Sequence, residues 1–155
     1  MKTLLVPIDF SPITSRVTAT AIDLARSLQA KVVLLNVTPP ITMVGDDTAY
    51  LESLGVLYDL EAKSATKRLA ALQRLFTQKR VPVRTVHLSG PAVPLIMDQA
   101  RKQRADVIVI GSHGHTAFYD LLVGSTAHGV LKRATCPVMV VPPAKVVRRA
   151  APRAD

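Results

Sequence analysis

Between Gly111 and Thr126 the chain carries small residues at spacings that suit a phosphate. Gly111-Ser112-His113-Gly114 is followed, after nine intervening residues, by Gly124-Ser125-Thr126. Gly124 lets the backbone approach a ligand closely, and Ser125 is placed to cap the helix that begins there. The unpaired amides and positive dipole end of such a helix favour an anion. Each such charge interaction is worth about 0.3–1 kcal/mol, and up to about 2 kcal/mol where partly buried. Gly111 and Gly114 free the strand-end backbone to curl around a phosphate. The same residues equally suit a plain strand exit and helix cap that use Gly and Ser for their turns. The residues alone leave both readings open.

Other reactive side chains offer less. Two neighbouring imidazoles, His113 and His115, lack third and fourth ligands for zinc. His113-Gly114-His115 superficially resembles the His-x-Gly-His signature of nucleotidyl transferases, but that signature follows a first strand and this one follows a fourth. Exposed loop histidines near a phosphate are the simpler reading. His87 falls in a strand as a structural or surface residue. His128 falls one turn into the last helix, either solvated or near the ligand. The single Cys136 excludes an internal disulfide and a cysteine-based zinc framework, and its place before Pro137 and an aliphatic run suits a packed thiol. There is no G-x4-G-K-(S/T), and no G-x-G-x2-G follows the first strand. No Ser-His-Asp or Cys-His arrangement is suggested by the order of residues. Beyond Asp9 and the basic side chains near the loop, nothing is available to orient water or stabilise charge in transfer, so binding without fast hydrolysis is expected.

The elements that must position the loop alternate regularly. Thr3 to Ile8 reads as a first strand, stopped at Asp9, and Ile13, Val17, Ala21, Leu24, Ala25 and Leu28 mark a first helix. Lys31 to Val37 is a second strand. A long connection follows, with Pro39, Pro40, Gly45, Asp46, Asp47 and Gly55 as turn formers. Ala65, Leu69, Leu72 and Phe76 give the buried face of a second helix. Val81 to Leu88 is a weaker, proline-bearing third strand, expected at an edge. Gly90-Pro91 opens a third helix with Val93, Ile96, Met97 and Ala100 inward. Asp106 to Gly111 is the fourth strand, Ser125 to Ala134 a helix, and Pro137 to Val141 the fifth strand. This alternation predicts right-handed crossovers and an open five-stranded parallel sheet of order 3-2-1-4-5, with helices on both faces. In that order the winding reverses between the first and fourth strands, so Asp9 and Gly111 face one crevice.

Composition agrees with one domain. For 155 residues roughly 70% of the unfolded chain's surface can be buried. Hydrophobic residues are 48% and aromatics 4%, so aliphatic side chains must fill the core, as doubly covered parallel strands require. No apolar stretch approaches 18 residues and the start lacks a leader pattern, so neither a membrane span nor a signal peptide is expected, and the location is read as cytoplasmic. The net charge of +9 is spread over helix faces and a tail after Pro143. No aromatics interleave with the basic residues and no nucleic-acid motif is present, so nucleic acid is not the expected partner. Residues 1–142 are read as the domain and 143–155 as a basic, disordered tail.

The glycine spacing G-x2-G-x9-G-(S/T), met here by Gly111, Gly114, Gly124 and Ser125, resembles that of the ATP-binding universal stress proteins. Val6-Pro7-Ile8-Asp9-Phe10-Ser11-Pro12, Leu34-Leu35-Asn36-Val37, Ala105 to Val109 and Leu131 to Val138 extend the resemblance over roughly residues 2 to 142. It implies a Rossmann-like fold of the adenine nucleotide α-hydrolase type. It further implies that Pro7 and Asp9 line the adenosine end, Asp9 accepting from ribose hydroxyls, and that Val37 contacts adenine. Gly111, Gly114, Gly124, Ser125 and Thr126 would hold the triphosphate, with Mg²⁺ or Mn²⁺ shared among its oxygens. Asn36 departs from the pattern, since the family often has His there. The function implied is a nucleotide-dependent stress-response switch or partner-binding module, its protein partner unidentified; the alternative is a slow ATP hydrolase. The uncharged edge strand 137–141, together with the resemblance, predicts a homodimer, unless the tail folds back over that edge.

Overall fold

The computed structural model describes residues 1–40, 48–112 and 123–143, with residues 48–54 as helix backbone alone. Its elements in chain order are β1 (Thr3–Ile8), α1 (Thr14–Leu28), β2 (Lys31–Thr38), α2 (Thr48–Gln78), β3 (Val83–Ser89), α3 (Ala92–Lys102), β4 (Val107–Gly111), α4 (Ser125–Arg133) and β5 (Val138–Val141). The strands pair in parallel in the order β3-β2-β1-β4-β5, as the alternation of elements predicts. β2 aligns Lys31 to Asn36 with Thr3 to Ile8 of β1, and Val32 to Thr38 with Val83 to Ser89 of β3. β3 is an edge, and Pro82 sits just outside it, its carbonyl accepting from Val32 N at 2.8 Å.

The period of two along each strand divides the aliphatic runs between two cores. Leu4, Val6, Ile8, Val32 and Leu34 pack under α1 and α2 with Val17, Ala21, Leu69 and Phe76. Leu5, Val33, Leu35, Ile108 and Ile110 pack under α3 and α4 with Ile96, Met97, Ala127 and Val130. Leu4, Leu5, Leu34, Leu35 and Phe76 have no exposed surface, each worth about 1.5–3 kcal/mol relative to exposure. At the foot of the sheet the Asp106 carboxylate accepts from Thr3 N at 2.7 Å, and Asp106 N donates to Thr3 O at 2.9 Å. Asp106 therefore joins the central strands rather than extending β4.

Two expectations need correction. The connection after Pro39 ends sooner than its turn formers suggest, because α2 begins at Thr48 and carries Gly55 within it. A Cβ at Gly55 would meet nothing within 4 Å, so this is an open helix position, where glycine costs only about 1 kcal/mol. A helix already packed through Ala65, Leu69 and Phe76 tolerates that cost. Secondly, Ser125 does not cap α4. Gly124 is the N-cap, with φ −67° and ψ 161°, and Ser125 is the first helical residue.

Gly90 is the glycine that the backbone demands. Its φ of +145° is open to few side chains, and a Cβ there would lie 3.0 Å from Leu95 Cδ1. Its N–H donates to Thr38 O at 2.9 Å, turning the chain from β3 into α3. Gly45, Asp46 and Asp47, together with residues 144–155 of the basic tail, lie outside the described residues.

Candidate functional site

After β1 the chain winds toward β2, and after β4 it winds toward β5 on the other side. The segments leaving these two neighbouring strands therefore diverge and open a crevice at their C-terminal ends. A cleft of about 790 Å³ occupies that place. Pro7 and Asp9 line it from β1, Val37 from β2, Gly111 from β4, and Gly124, Ser125 and Thr126 from the start of α4. Seven of the eight predicted site residues are thus brought together. The eighth, Gly114, lies outside the described residues, as do His113 and His115.

On the β4 side the site is held together by backbone bonds. Ser112 is buried, its N–H donates to Val141 O at 2.8 Å, and its carbonyl accepts from Gly124 N at 2.6 Å. That last bond joins the two ends of the glycine segment, so the β4 exit and the α4 N-terminus form one edge of the cleft. The first turn of α4 carries no acidic side chain, and its last turn carries Lys132 and Arg133. The charge pattern leaves the N-terminal end attractive to an anion.

On the β1 side, Asp9 stands exposed just beyond the strand, and its carboxylate accepts from Ser11 N at 3.0 Å. This is the local turn bond that aspartate makes readily. Phe10 follows in the left-handed region at φ 60°. Arg68 of α2 lies over the Phe10 ring, 4.2 Å from its centroid, and donates from Nη2 to Phe10 O at 3.1 Å. Glu61 and Ser64 extend the same wall.

Asn36, the departure from the family pattern, is only 3% exposed and fully engaged. Its Nδ2 donates to Ile8 O at 2.8 Å, and its Oδ1 meets His87 Nδ1 at 2.9 Å. With Asn36 so oriented, His87 donates from Nδ1. The trio ties β1, β2 and β3 together at Ile8, one residue before Asp9, a structural role for His87. His128 is an exposed position of α4 and is not among the lining residues. Cys136 is half-buried; burial and, after it, the Asp106 charge push its thiol pKa up, which suits a packed and unreactive group.

Arg68, Glu61, Ser64 and Asn36 line the cleft, although sequence reasoning assigned none of them to it. Arg68 sits in a basic cluster with Lys63 and Lys67 that reads as a solvated helix face. Its placement depends on how α2 crosses the sheet, which no local spacing carries. Asn36 offered one signal, a polar residue inside an aliphatic strand.

The sequence model of the Universal stress protein family matches residues 1–142. The chain belongs to that family. Universal stress protein A homolog 1 of Coxiella burnetii is 32% identical over 143 residues, covering 90% of this chain and 95% of that one. Among solved structures, the universal stress protein UspA from Lactobacillus plantarum matches with a TM-score of 0.81 at 27% identity, covering 90% of this chain and 97% of that one. The universal stress protein from Archaeoglobus fulgidus, solved in complex with dAMP, shares the fold with a TM-score of 0.66 at 20% identity, covering 90% and 97%. Membership accounts for the strand order and for the crevice between β1 and β4. Among the described residues no helix is long and apolar enough to cross a membrane.

Proposed function

We propose that this universal stress protein binds ATP in the cleft between β1 and β4 and works as a nucleotide-dependent switch or partner-binding module in the cytoplasm. The observation that carries the reading is the start of α4 at the edge of the cleft, free of acidic side chains in its first turn and held against the β4 exit by the bond from Gly124 N to Ser112 O. Asp9 and Val37 stand on the opposite side of the same cleft. The residues fit the ligand. A cleft of about 790 Å³ falls in the range of roughly 300–1,000 Å³ usual for small-molecule sites. Gly111, Gly124, Ser125 and Thr126 would hold the triphosphate, together with Gly114. Pro7, Asp9 and Val37 would read the adenosine. Mg²⁺ or Mn²⁺ would be carried by the phosphate oxygens. The dAMP complex of the Archaeoglobus fulgidus relative supports an adenine nucleotide.

The test is nucleotide retained by the purified protein, identified by mass and followed for hydrolysis. At about 100 times the dissociation constant, one site adds about 2.7 kcal/mol of stability. For a chain of this size that raises the melting temperature by roughly 5–10 °C. Mg-GTP is expected to do less. Equal shifts with both nucleotides, or none with either, would overturn the assignment. Hydrolysis is expected below about one turnover per minute, against the roughly 1–10³ s⁻¹ of dedicated enzymes. Release of phosphate at several per second, lost when the loop is altered, would favour the hydrolase reading.

Assembly as a homodimer through β5 completes the proposal. Met139 on this edge strand is 38% exposed, and Val138 and Val140 are half-buried. An uncharged edge with open backbone groups pairs well with its own copy about a two-fold axis. Sedimentation of wild type against Val140→Lys checks this: the lysine variant is expected to be a monomer. A monomeric wild type at tens of micromolar would refute the pairing.

A further inference from the structure

We propose that Arg68 is a positioning residue for the nucleoside end of the cleft, holding the Asp9 turn in its binding shape by clamping Phe10. This rests on the adenine-nucleotide reading above. Phe10 occupies the left-handed region at φ 60°, which disfavours a residue with a bulky side chain. Contacts from elsewhere must keep it there. Arg68 supplies two, the cation over the ring at 4.2 Å and the donation from Nη2 to Phe10 O at 3.1 Å, from a residue 58 positions away. A guanidinium suits both tasks, because it stacks on aromatic faces and directs its donors in a fixed plane.

Phe10 is flanked by the two partners of the neighbouring turn bond, Asp9 and Ser11. Were Phe10 to leave its left-handed state, the Asp9 carboxylate would swing with it. Arg68 and Asp9 line the same cleft, so the clamp stands beside the atoms it orients. The glycine edge starts at the end of β4, across the cleft from the Asp9 turn, and makes no contact with the clamp among the bonds described. The role therefore has a signature: loss of affinity for the nucleoside part of a ligand and not for its phosphates.

Calorimetric titration with Mg-ATP and with Mg-tripolyphosphate tests it on wild type, Arg68→Ala, Arg68→Lys, Asp9→Ala and the Asp9→Ala/Arg68→Ala double variant. Arg68→Ala should weaken Mg-ATP about tenfold, no more than the loss of Asp9 itself, through which it acts. Its affinity for tripolyphosphate should stay within about twofold of wild type, and Arg68→Lys should recover part of the loss. The double variant should bind ATP no more weakly than Asp9→Ala, because two changes acting through one turn do not add. Wild-type affinity in Arg68→Ala, an equal loss for tripolyphosphate, or additive losses would each overturn the role. If Arg68→Ala does not fold, Arg68→Met, which keeps the apolar stem, takes its place under the same outcomes. A wild type silent toward both ligands refutes the nucleotide reading and this role with it; a binding wild type with an unaffected variant refutes this role alone.

Discussion

The β4–α4 edge of the cleft presents mainly backbone, with the small polar residues Ser125 and Thr126: a strand exit, a helix start and a glycine at the cap, closed by the bond from Gly124 N to Ser112 O. The opposite edge presents side chains brought from β1, β2 and α2, among them Asp9, Asn36 and Arg68. Backbone amides at a helix start suit any phosphate, since they read charge and not identity. Side chains placed by separate elements can discriminate one nucleoside from another, but only while every supporting contact is kept. The comparison teaches a division of labour. Under the proposed function, affinity for the phosphates would rest on the β4–α4 segment, and selectivity for the nucleoside on side chains that β1, β2 and α2 bring to the opposite wall.

The largest effect should come from Gly124→Val. Its φ of −67° and ψ of 161° lie where valine is comfortable, so the backbone need not change. Valine is a poorer cap, which costs about 1 kcal/mol of stability. Its branched side chain would occupy the space where phosphate oxygens approach, so calorimetry should detect no binding of ATP or of triphosphate. Normal binding by the folded variant would reduce this segment to a turn. Asp9→Ala should act next most strongly and on one ligand only. Loss of hydrogen bonds to a charged group, about 1.5–3 kcal/mol, weakens ATP by roughly tenfold to a hundredfold. Triphosphate affinity should hardly move; parallel losses would erase the distinction between the two edges.

Asn36→Ala sharpens the comparison from the stability side. The change leaves the Ile8 carbonyl and the His87 Nδ1 proton without their shared partner in a buried place. That should cost about 1–3 kcal/mol, or roughly 3–10 °C in melting temperature at this size. ATP affinity should fall only a few-fold, because Asn36 holds Ile8, the residue before Asp9, and not Asp9 itself. A variant that melts like wild type would mean that the trio does not tie the strands.

How much of this could be read from the residues follows the same divide. Strand order and the crevice follow from continuous aliphatic runs alternating with amphipathic helical stretches, each of which is legible locally. Asp9, Gly111 and Gly124 follow from being adjacent to strand ends or a helix start, whereas Pro7 and Val37 are implied only by the family resemblance. Arg68 follows from neither, because its site role appears only once α2 is laid across the β1 turn. The start of α2 was hidden for a related reason: Gly55 has the type of a turn former, while the helix around it is held by packing further along. Ser125 was misread more narrowly. A Ser after a Gly suits a cap, but either residue can be the one that leaves helical geometry, and here it is Gly124.

That misreading sets up the smallest and most discriminating test, Ser125→Ala. As a cap, Ser125 would stabilise the fold by about 1 kcal/mol, and its loss would lower the melting temperature by roughly 2–4 °C. In the structure Gly124 is the cap and makes no side-chain bond to the first amides, so the Ser125 hydroxyl is not the capping group. Alanine is also the better helix former at a first helical position. The apo melting temperature should therefore stay where it is, within about 1 °C, or rise slightly. If the hydroxyl donates to a phosphate oxygen, Mg-ATP and Mg-tripolyphosphate should both weaken by about fivefold, within the range for one such bond. Equal losses for the two ligands would set Ser125 apart from Asp9, which distinguishes them. A lower apo melting temperature with unchanged affinity would instead return Ser125 to capping and leave the phosphate to the amides alone.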